Sequence, residues 1–195
     1  MTEEMTRCWT GSPLMQQYHD DEWGRPVHDD RQLFEMLTLE VMQAGLSWNT
    51  VLNKREAFRQ AFDGFDPSEI SQYDEDEVQQ LVVNPGIIRN RMKIDATINN
   101  ARQFLSVADE CGSFDEFIWR YVDFTPIVGH PGDETWVATT PLSDQISKDL
   151  KKKGFKFVGS TTIYSFLQSV GIVNDHLPSC FVYKELLVRR QPASE

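Results

Sequence analysis

The 195-residue sequence is poor in cysteine, and Cys8, Cys111 and Cys180 are its only three. Such an odd and sparse set does not suit a disulfide framework and favours reduced thiols or a metal site. The sequence also has no run of eighteen uncharged apolar residues, and its first thirteen residues lack the basic and apolar regions of a signal peptide. We therefore expect a cytoplasmic protein without a membrane-spanning segment.

Net positive charge, which nucleic-acid binding normally requires, is lacking as well. The 30 acidic residues outnumber the 19 lysines and arginines, and the formal net charge is −11. The acidic excess lies in residues 1–40 and 63–80, so the rest of the chain is slightly basic. Residues 148–156 hold five lysines and one aspartate. A lysine run is often only the solvated end of a helix, but it also provides the local basic patch that phosphate binding requires.

Helical periodicity is the main pattern that is present, and no segment has the pattern of a β-hairpin or a βαβ unit. We therefore predict an all-α fold, with residues 1–195 as a single domain whose core the 40% apolar residues can fill. The predicted helices cover residues 31–45, 49–62, 74–83, 89–112, 114–122, 144–153 and 161–171. Residues 123–142 are predicted as the one long loop, and about residues 188–195 as a flexible tail.

The first predicted helix carries an acidic residue among apolar ones. Asp29 is a suitable cap before it, and Leu33, Leu37 and Val41 follow at helical spacing. Glu40 falls on the same face, seven residues after Leu33. Because a buried carboxylate without a partner is costly, Glu40 is a candidate functional residue.

The helix predicted over residues 89–112 turns one face toward the core, with Ile94, Ile98, Ala101, Leu105 and Ala108. Gly112 closes it. Ser113 is then predicted to cap the following helix.

Residues 143–171 are predicted as two short helices joined by a turn that has glycine at both ends, Gly154 and Gly159. Ser143 would cap the first helix, and Gly159 and Ser160 would open the second. Glycine lets backbone amides approach a phosphate, and the N-terminus of a helix adds positive charge there. With the adjacent lysines, this element resembles the helix-hairpin-helix of DNA repair glycosylases. An ordinary αα-hairpin fits the pattern equally well.

A possible metal site links the two ends of the chain. His176 and Cys180 are four residues apart, and Cys8 and His19 are eleven residues apart, which together make a Cys2His2 set. Four protein ligands leave no open position for water, so we expect one structural Zn²⁺ per chain that joins the N- and C-terminal segments. A lone histidine or cysteine is often only a buried core residue, and that alternative stays open on spacing alone.

The ordered motifs between about residues 7 and 182 resemble 3-methyladenine DNA glycosylase type I. They are "RCW", "YHDDEWG", "LFEMLTLEVMQAGLSW", "VLNKREAF", "GIIRNRMKI" and "LKKKGFKFVGSTTIYSFLQSVGIVNDH", followed by Cys180. The resemblance implies an all-α, helix-hairpin-helix glycosylase fold, with a zinc site formed by Cys8, His19, His176 and Cys180. It also implies a monomer that acts on double-stranded DNA containing alkylated bases.

The resemblance further implies roles for residues of the base pocket. Glu40 would be the catalytic carboxylate that hydrogen-bonds the extruded base. Tyr18 and Trp48 would sandwich this base, and Trp9 and Trp23 would form further walls. Met15 departs from the family pattern, in which this stretch often has a tyrosine.

The remaining predicted contacts are with the DNA. Gly45 and Leu46 would probe the gap that the flipped base leaves, as the resemblance implies. The contacts predicted for the DNA backbone are Lys151, Lys152, Lys153, Lys156, Gly159 and Ser160.

Alkylation at N3 makes adenine cationic in the nucleotide and therefore a good leaving group. A carboxylate among electron-rich rings favours this cation. The resemblance thus implies a monofunctional enzyme that flips out and hydrolytically releases 3-methyladenine. The alternative is a non-enzymatic zinc-clasped module that binds damaged DNA or a protein partner. The closed Cys2His2 set argues against a zinc hydrolase. Asp175 is expected to orient or cap locally.

Overall fold

Helices make up most of the computed structural model, which describes residues 6–129 and 136–188. The prediction of a mainly helical fold is therefore confirmed. The helices are α1 (Pro13–Asp21), α2 (Asp30–Gln43), α3 (Trp48–Leu52), α4 (Arg55–Ala61), α5 (Pro67–Ile70), α6 (Glu75–Val83), α7 (Arg91–Cys111), α8 (Phe114–Trp119), α9 (Pro141–Lys152), α10 (Ser160–Ser169) and α11 (Phe181–Val188). Within this part of the chain no helix is long and apolar enough to cross a membrane.

Side-chain caps explain where several helices begin. The Asp29 carboxylate accepts a hydrogen bond from the Gln32 backbone N–H at 2.9 Å, which starts α2 as predicted. Ser113 caps α8 through the Glu116 N–H in the same way, and Asp74 forms a capping box with Glu77 at the start of α6.

The structure corrects the predicted start of α9. Thr140, rather than Ser143, is its cap, and Pro141 occupies the first helical position. Ser143 lies three residues further on, where its hydroxyl accepts from the Thr140 N–H at 2.8 Å and completes a capping box. Proline suits a first helical position because its missing N–H has no intrahelical partner there, so the helix begins two residues before the predicted cap.

Two further predictions about helices were incomplete. The helix predicted over residues 49–62 is divided into α3 and α4 at Asn53 and Lys54. On α7, Phe104 and Val107 are buried, whereas the predicted core residues Leu105 and Ala108 are only half-buried. The face is rotated because Phe104 packs between Phe34 and Phe114, with ring centroids 5.2 and 4.1 Å away.

Helix α2 runs through the middle of the core. Ten consecutive residues, 33–42, are buried, so neighbouring elements cover every face of this helix. Helices α3, α7, α8 and α10 all pack against it. Both of its glutamates, Glu35 and Glu40, are therefore inside the protein.

One of the two strands that the structure describes lies within the predicted long loop. β1 (Ile127–Val128) pairs in parallel with β2 (Val173–Asn174) and joins the loop to the segment after α10. Residues 130–135 of this loop lie outside the described residues. The predicted tail lies outside them as well, from residue 189 onward.

Candidate active site and metal centre

A cavity of about 320 Å³ opens beside Glu40. Its aromatic walls come from separate parts of the chain, namely Trp9, Tyr18, Trp23, Trp48, Trp136 and Tyr164. The volume is at the lower end of the usual range for small-molecule pockets, and aromatic walls with few polar groups are typical of such sites. The structure thus brings Glu40 and the four predicted aromatic residues into one place.

Glu40 lies at this cavity with only 5% of its surface exposed. Burial raises the pKa of its carboxyl to about 8. Within residues 6–129 and 136–188, Glu40 has no ion-pair partner, so its charge is not compensated there. This pKa favours the protonated form of the carboxyl group, and a cation in the cavity would favour its ionised form.

Tyr18 and Trp48 lie next to each other on the wall. Their ring centroids are 5.3 Å apart and their planes are inclined at 52°. A flat base in van der Waals contact with both faces requires about 7 Å between the rings, twice the usual contact distance. The two rings must therefore separate before they can form the predicted sandwich.

Trp9 and Trp48, which line this cavity, each have a buried indole N–H without a hydrogen-bond acceptor among the described residues. A buried donor without an acceptor is uncommon in folded proteins.

Asp175 lies behind the cavity wall that α10 forms and is fully buried. Its Oδ2 accepts hydrogen bonds from the Tyr164 hydroxyl and from Gln168 Nε2, the latter at 2.6 Å. Both donors line the cavity. Asp175 thus acts on the side chains of the wall, in keeping with the expected orienting role.

Several cavity residues were missed from the sequence. Trp136 lies within the predicted loop, and Tyr164 and Gln168 lie on α10. A tryptophan in an aperiodic segment was the one available signal, because exposed loop aromatics are often functional. Met15, the predicted departure, also lines the cavity.

The predicted metal ligands Cys8, His19, His176 and Cys180 form a cluster. Their ligand atoms all lie within 4.8 Å of one another. Nδ1 of His176 is 3.3 Å from the Cys8 sulfur and 3.5 Å from the Cys180 sulfur. Tetrahedral zinc with bonds of about 2.3 Å to sulfur and about 2.05 Å to nitrogen places such pairs about 3.6 Å apart, so the donor set fits this metal.

The surroundings of the two histidines favour the same conclusion. Nδ1 of His19 hydrogen-bonds Asp20 at 2.8 Å, and Nε2 of His176 hydrogen-bonds the Trp23 carbonyl oxygen at 2.9 Å. Each ring therefore has its other nitrogen available to the cluster, as is usual for metal-bound histidines. The neighbouring Cys8 thiol and the two imidazoles lower the pKa of the Cys180 thiol. A thiolate is the form that binds metal.

The predicted DNA-contacting residues lie in two turns or in the helix ends beside them. The first follows α2, where Gly45 has a φ of +80° and Leu46 is 41% exposed. Space is open within 4 Å of the position that a Cβ would take on Gly45. The flanking residues Gln43 and Trp48 line the cavity, so this turn lies at its border.

The second turn joins α9 to α10. Lys151 and Lys152 are exposed and, with Lys148 and Ser160, line a surface depression of about 570 Å³. Lys156 is also exposed. Lys152 pairs with Asp149 at 3.0 Å. Lys153 differs because it is half-buried, and its ammonium pairs with Glu110 at 2.6 Å and lies over the Phe117 ring.

The start of α10 is open to solvent on one side. Space is open around the Cβ position of Gly159, although its φ of −62° suits any residue. The Ser160 hydroxyl contacts the Ser143 hydroxyl at 2.8 Å.

Comparisons with known proteins agree with this geometry. A family model described as methyladenine glycosylase matches residues 8–183. DNA-3-methyladenine glycosylase 1 of Escherichia coli (strain K12) is 48% identical over 182 residues, covering 92% of this chain and 97% of the relative.

Two solved structures share the fold. A crystal structure of 3-methyladenine DNA glycosylase I has a TM-score of 0.86 and 49% identity, covering 90% of this chain and 98% of the other. A variant of a 3-methyladenine DNA glycosylase I in complex with 3-methyladenine has a TM-score of 0.85 and 37% identity, covering 88% of this chain and 93% of the other. The chain therefore belongs to the methyladenine glycosylase family.

Proposed function

We propose that the protein is a monofunctional DNA glycosylase, a hydrolase that flips 3-methyladenine out of alkylated double-stranded DNA and releases it. The observation that carries the proposal is a buried carboxylate, Glu40, without a cation partner in a cavity walled by aromatic rings. The family membership supports the same reaction, and the relative solved in complex with 3-methyladenine shows that ligand in a similar fold. We expect the protein to act as a monomer in the cytoplasm.

The cavity suits a cationic base. Each cation–π contact with an aromatic wall is worth about 0.5–2 kcal/mol, and the Glu40 carboxylate adds a full opposite charge. Neutral adenine gains less from the aromatic rings and less from the Glu40 carboxylate. Since the alkylated base is already a good leaving group, this discrimination supplies most of what the reaction requires.

The monofunctional assignment rests on the composition of the cavity. A glycosylase that also cleaves the strand needs an amine that forms a Schiff base with the sugar. No lysine is among the cavity-lining residues that the structure describes. Water is then the nucleophile, and the sugar is left as a free abasic site.

We propose one structural zinc ion held by Cys8, His19, His176 and Cys180. Four protein ligands would leave no position for a substrate or a reactive water. The site would join the N-terminal segment to the start of α11, where the Phe181 N–H already donates to the Thr6 carbonyl at 3.2 Å. Structural zinc contributes roughly 10 kcal/mol or more of apparent folding free energy in small zinc domains.

We propose that the two turns bind the DNA. Leu46 would fill the space of the flipped base, since an exposed apolar side chain beside the cavity can replace the lost stacking contact. Lys151, Lys152 and Lys156 would contact phosphates, together with the backbone at Gly159 and Ser160. The open space at Gly159 supports this assignment, because glycine is required there neither by its backbone conformation nor by internal packing. Lys153 is already held by Glu110 and contributes less.

The proposal is tested by incubating the purified protein with methylated duplex DNA and identifying the free bases by chromatography. Release of 3-methyladenine above the level of a protein-free sample is the expected result. Binding to methylated DNA without base release would contradict the proposal and favour the non-enzymatic alternative. Metal analysis of the same sample should find one zinc per chain.

A further inference from the structure

Two buried polar side chains of helix α7, Lys93 and Asn100, point toward the two turns that are predicted to contact DNA. Lys93 and Asn100 are 5% and 3% exposed. They are seven residues apart, which is close to two helical turns, so they lie on one face and about 10.5 Å apart along the axis. Neither belongs to the cavity or the metal cluster.

Lys93 holds the end of α2. Its ammonium donates to the carbonyl oxygens of Met42 at 2.8 Å and of Ala44 at 2.7 Å. These are carbonyls of the last helical turn, where a cation is favourable, and the chain continues directly into Gly45 and Leu46. Burial lowers the pKa of Lys93, so retaining the charge here is costly and requires these two bonds.

Asn100 holds the hairpin turn in a similar way. Its Nδ2 donates to the Lys156 carbonyl at 3.0 Å, and its Oδ1 accepts from the Lys156 N–H at 2.7 Å. The adjacent Asn99 donates to the Gly154 carbonyl at 2.9 Å. The backbone between α9 and α10 is therefore bound to α7 on both sides of Phe155.

Elements next to both turns line the cavity. Gln43 and Trp48 on either side of the first turn line it, and the hairpin leads into α10, where Thr161 and Tyr164 line it. A nucleotide in the cavity would thus contact residues next to both turns. The distance between the two turns must match the distance between a vacated base position and the phosphates beside it.

We infer that Lys93 and Asn100 are positioning residues that fix the turn at Gly45 and Leu46 relative to the hairpin turn, so that both engage the same DNA duplex. This inference rests on the proposed function. It assigns to α7 a specific part in DNA engagement that is separate from recognition of the base. Binding of free 3-methyladenine needs only the cavity. Extrusion of the base from a duplex also needs both turns in the correct relative position.

The test compares DNA-dependent and DNA-independent binding in Lys93→Met and Asn100→Leu. Affinity for free 3-methyladenine is followed by tryptophan fluorescence, and kcat and KM are measured on methylated duplex. We expect kcat/KM on the duplex to fall about tenfold in each variant, while affinity for the free base stays within about twofold. Lys93→Arg, which keeps a donor cation, should retain most of the parent kcat/KM on the duplex.

Thr97→Val is the matched control on the same helix. Thr97 is 1% exposed, and its hydroxyl donates to the Lys93 carbonyl within α7, so the change removes a buried hydrogen bond without touching either turn. This control should keep the parent kcat/KM. Equal losses for free base and duplex, or a loss in Thr97→Val as large as in Lys93→Met, would overturn the inference.

Two further outcomes separate this inference from the proposed function. If the parent protein releases no base, the proposed function fails. If the parent releases the base and both variants match it, only the positioning role fails. Should Lys93→Met not fold, Lys93→Gln is measured in its place against the same control.

Discussion

Two buried glutamates on α2 show how differently the protein treats the same side chain. Glu35 and Glu40 are 7% and 5% exposed. Glu35 accepts from Arg55 at 2.6 Å and from Arg59 at 3.0 Å. Glu40 has no such partner among the described residues and faces the aromatic cavity. Five residues correspond to about 140° around a helix, so the two carboxylates point to different sides.

The comparison shows that neither burial nor cavity size identifies the functional side of α2. The cavity beside Glu35 is the larger one, at about 520 Å³ against about 320 Å³. Its charges are compensated within the protein, however, since Glu22 and Glu35 both pair with Arg55. Because Glu40 has no ion-pair partner among the described residues, a cationic ligand can still pair with it.

The largest expected loss of stability is at Glu35. Glu35→Gln should lower the free energy of unfolding by on the order of 3 kcal/mol, because it leaves the arginines without their buried anion. Thermal and urea unfolding measure this loss. A stability equal to that of the parent would show that the ion pairs on this side of α2 contribute nothing.

Glu40→Gln should have the opposite sign. The folded pKa of Glu40 is about 8, above its ordinary value of 4.5, so the parent loses stability as pH rises between these values. The variant lacks this loss and should become more stable than the parent, by on the order of 4 kcal/mol at pH 8. Urea unfolding at pH 5 and pH 8 measures both proteins. A difference that does not grow between the two pH values would contradict the uncompensated burial of Glu40.

The smallest expected effect is on DNA affinity, where an exposed lysine, Lys151, is compared with a paired one, Lys153. Lys151→Gln should weaken duplex binding and reduce the slope of log affinity against log salt by about 0.9, since one phosphate contact is lost. Lys153→Gln is the control, because Glu110 already holds that lysine. Fluorescence anisotropy over a salt series measures both. Equal slopes for the two variants would contradict the proposed division between them.

Much of the fold was predictable because local signals agree with the packing. Asp29 and Ser113 cap helices at the expected places, and apolar periodicity locates α2 and α7. Helix α1 was missed because only Tyr18 and His19 are buried on it, so it has no apolar period. Its signal is local, namely the Ser12 cap followed by Pro13.

The site was predictable only in part, for a physical reason. Glu40 stands out because a carboxylate on an apolar face requires an explanation. Periodicity does not distinguish Glu40 from Glu35, since α2 is covered on all sides and the arginines that pair with Glu35 come from α4. Trp136 and Gln168 reach the cavity through tertiary packing, which spacing along the chain does not reveal.

The most direct test of the central claim is single-turnover release of 3-methyladenine from duplex DNA by Glu40→Gln and Glu35→Gln, measured side by side at a temperature where both are folded. The account predicts a loss of about 100-fold or more for Glu40→Gln, the size expected when one preorganised electrostatic contact is removed. It predicts near-parent rates for Glu35→Gln despite its lower stability. Near-parent release by Glu40→Gln would contradict the account.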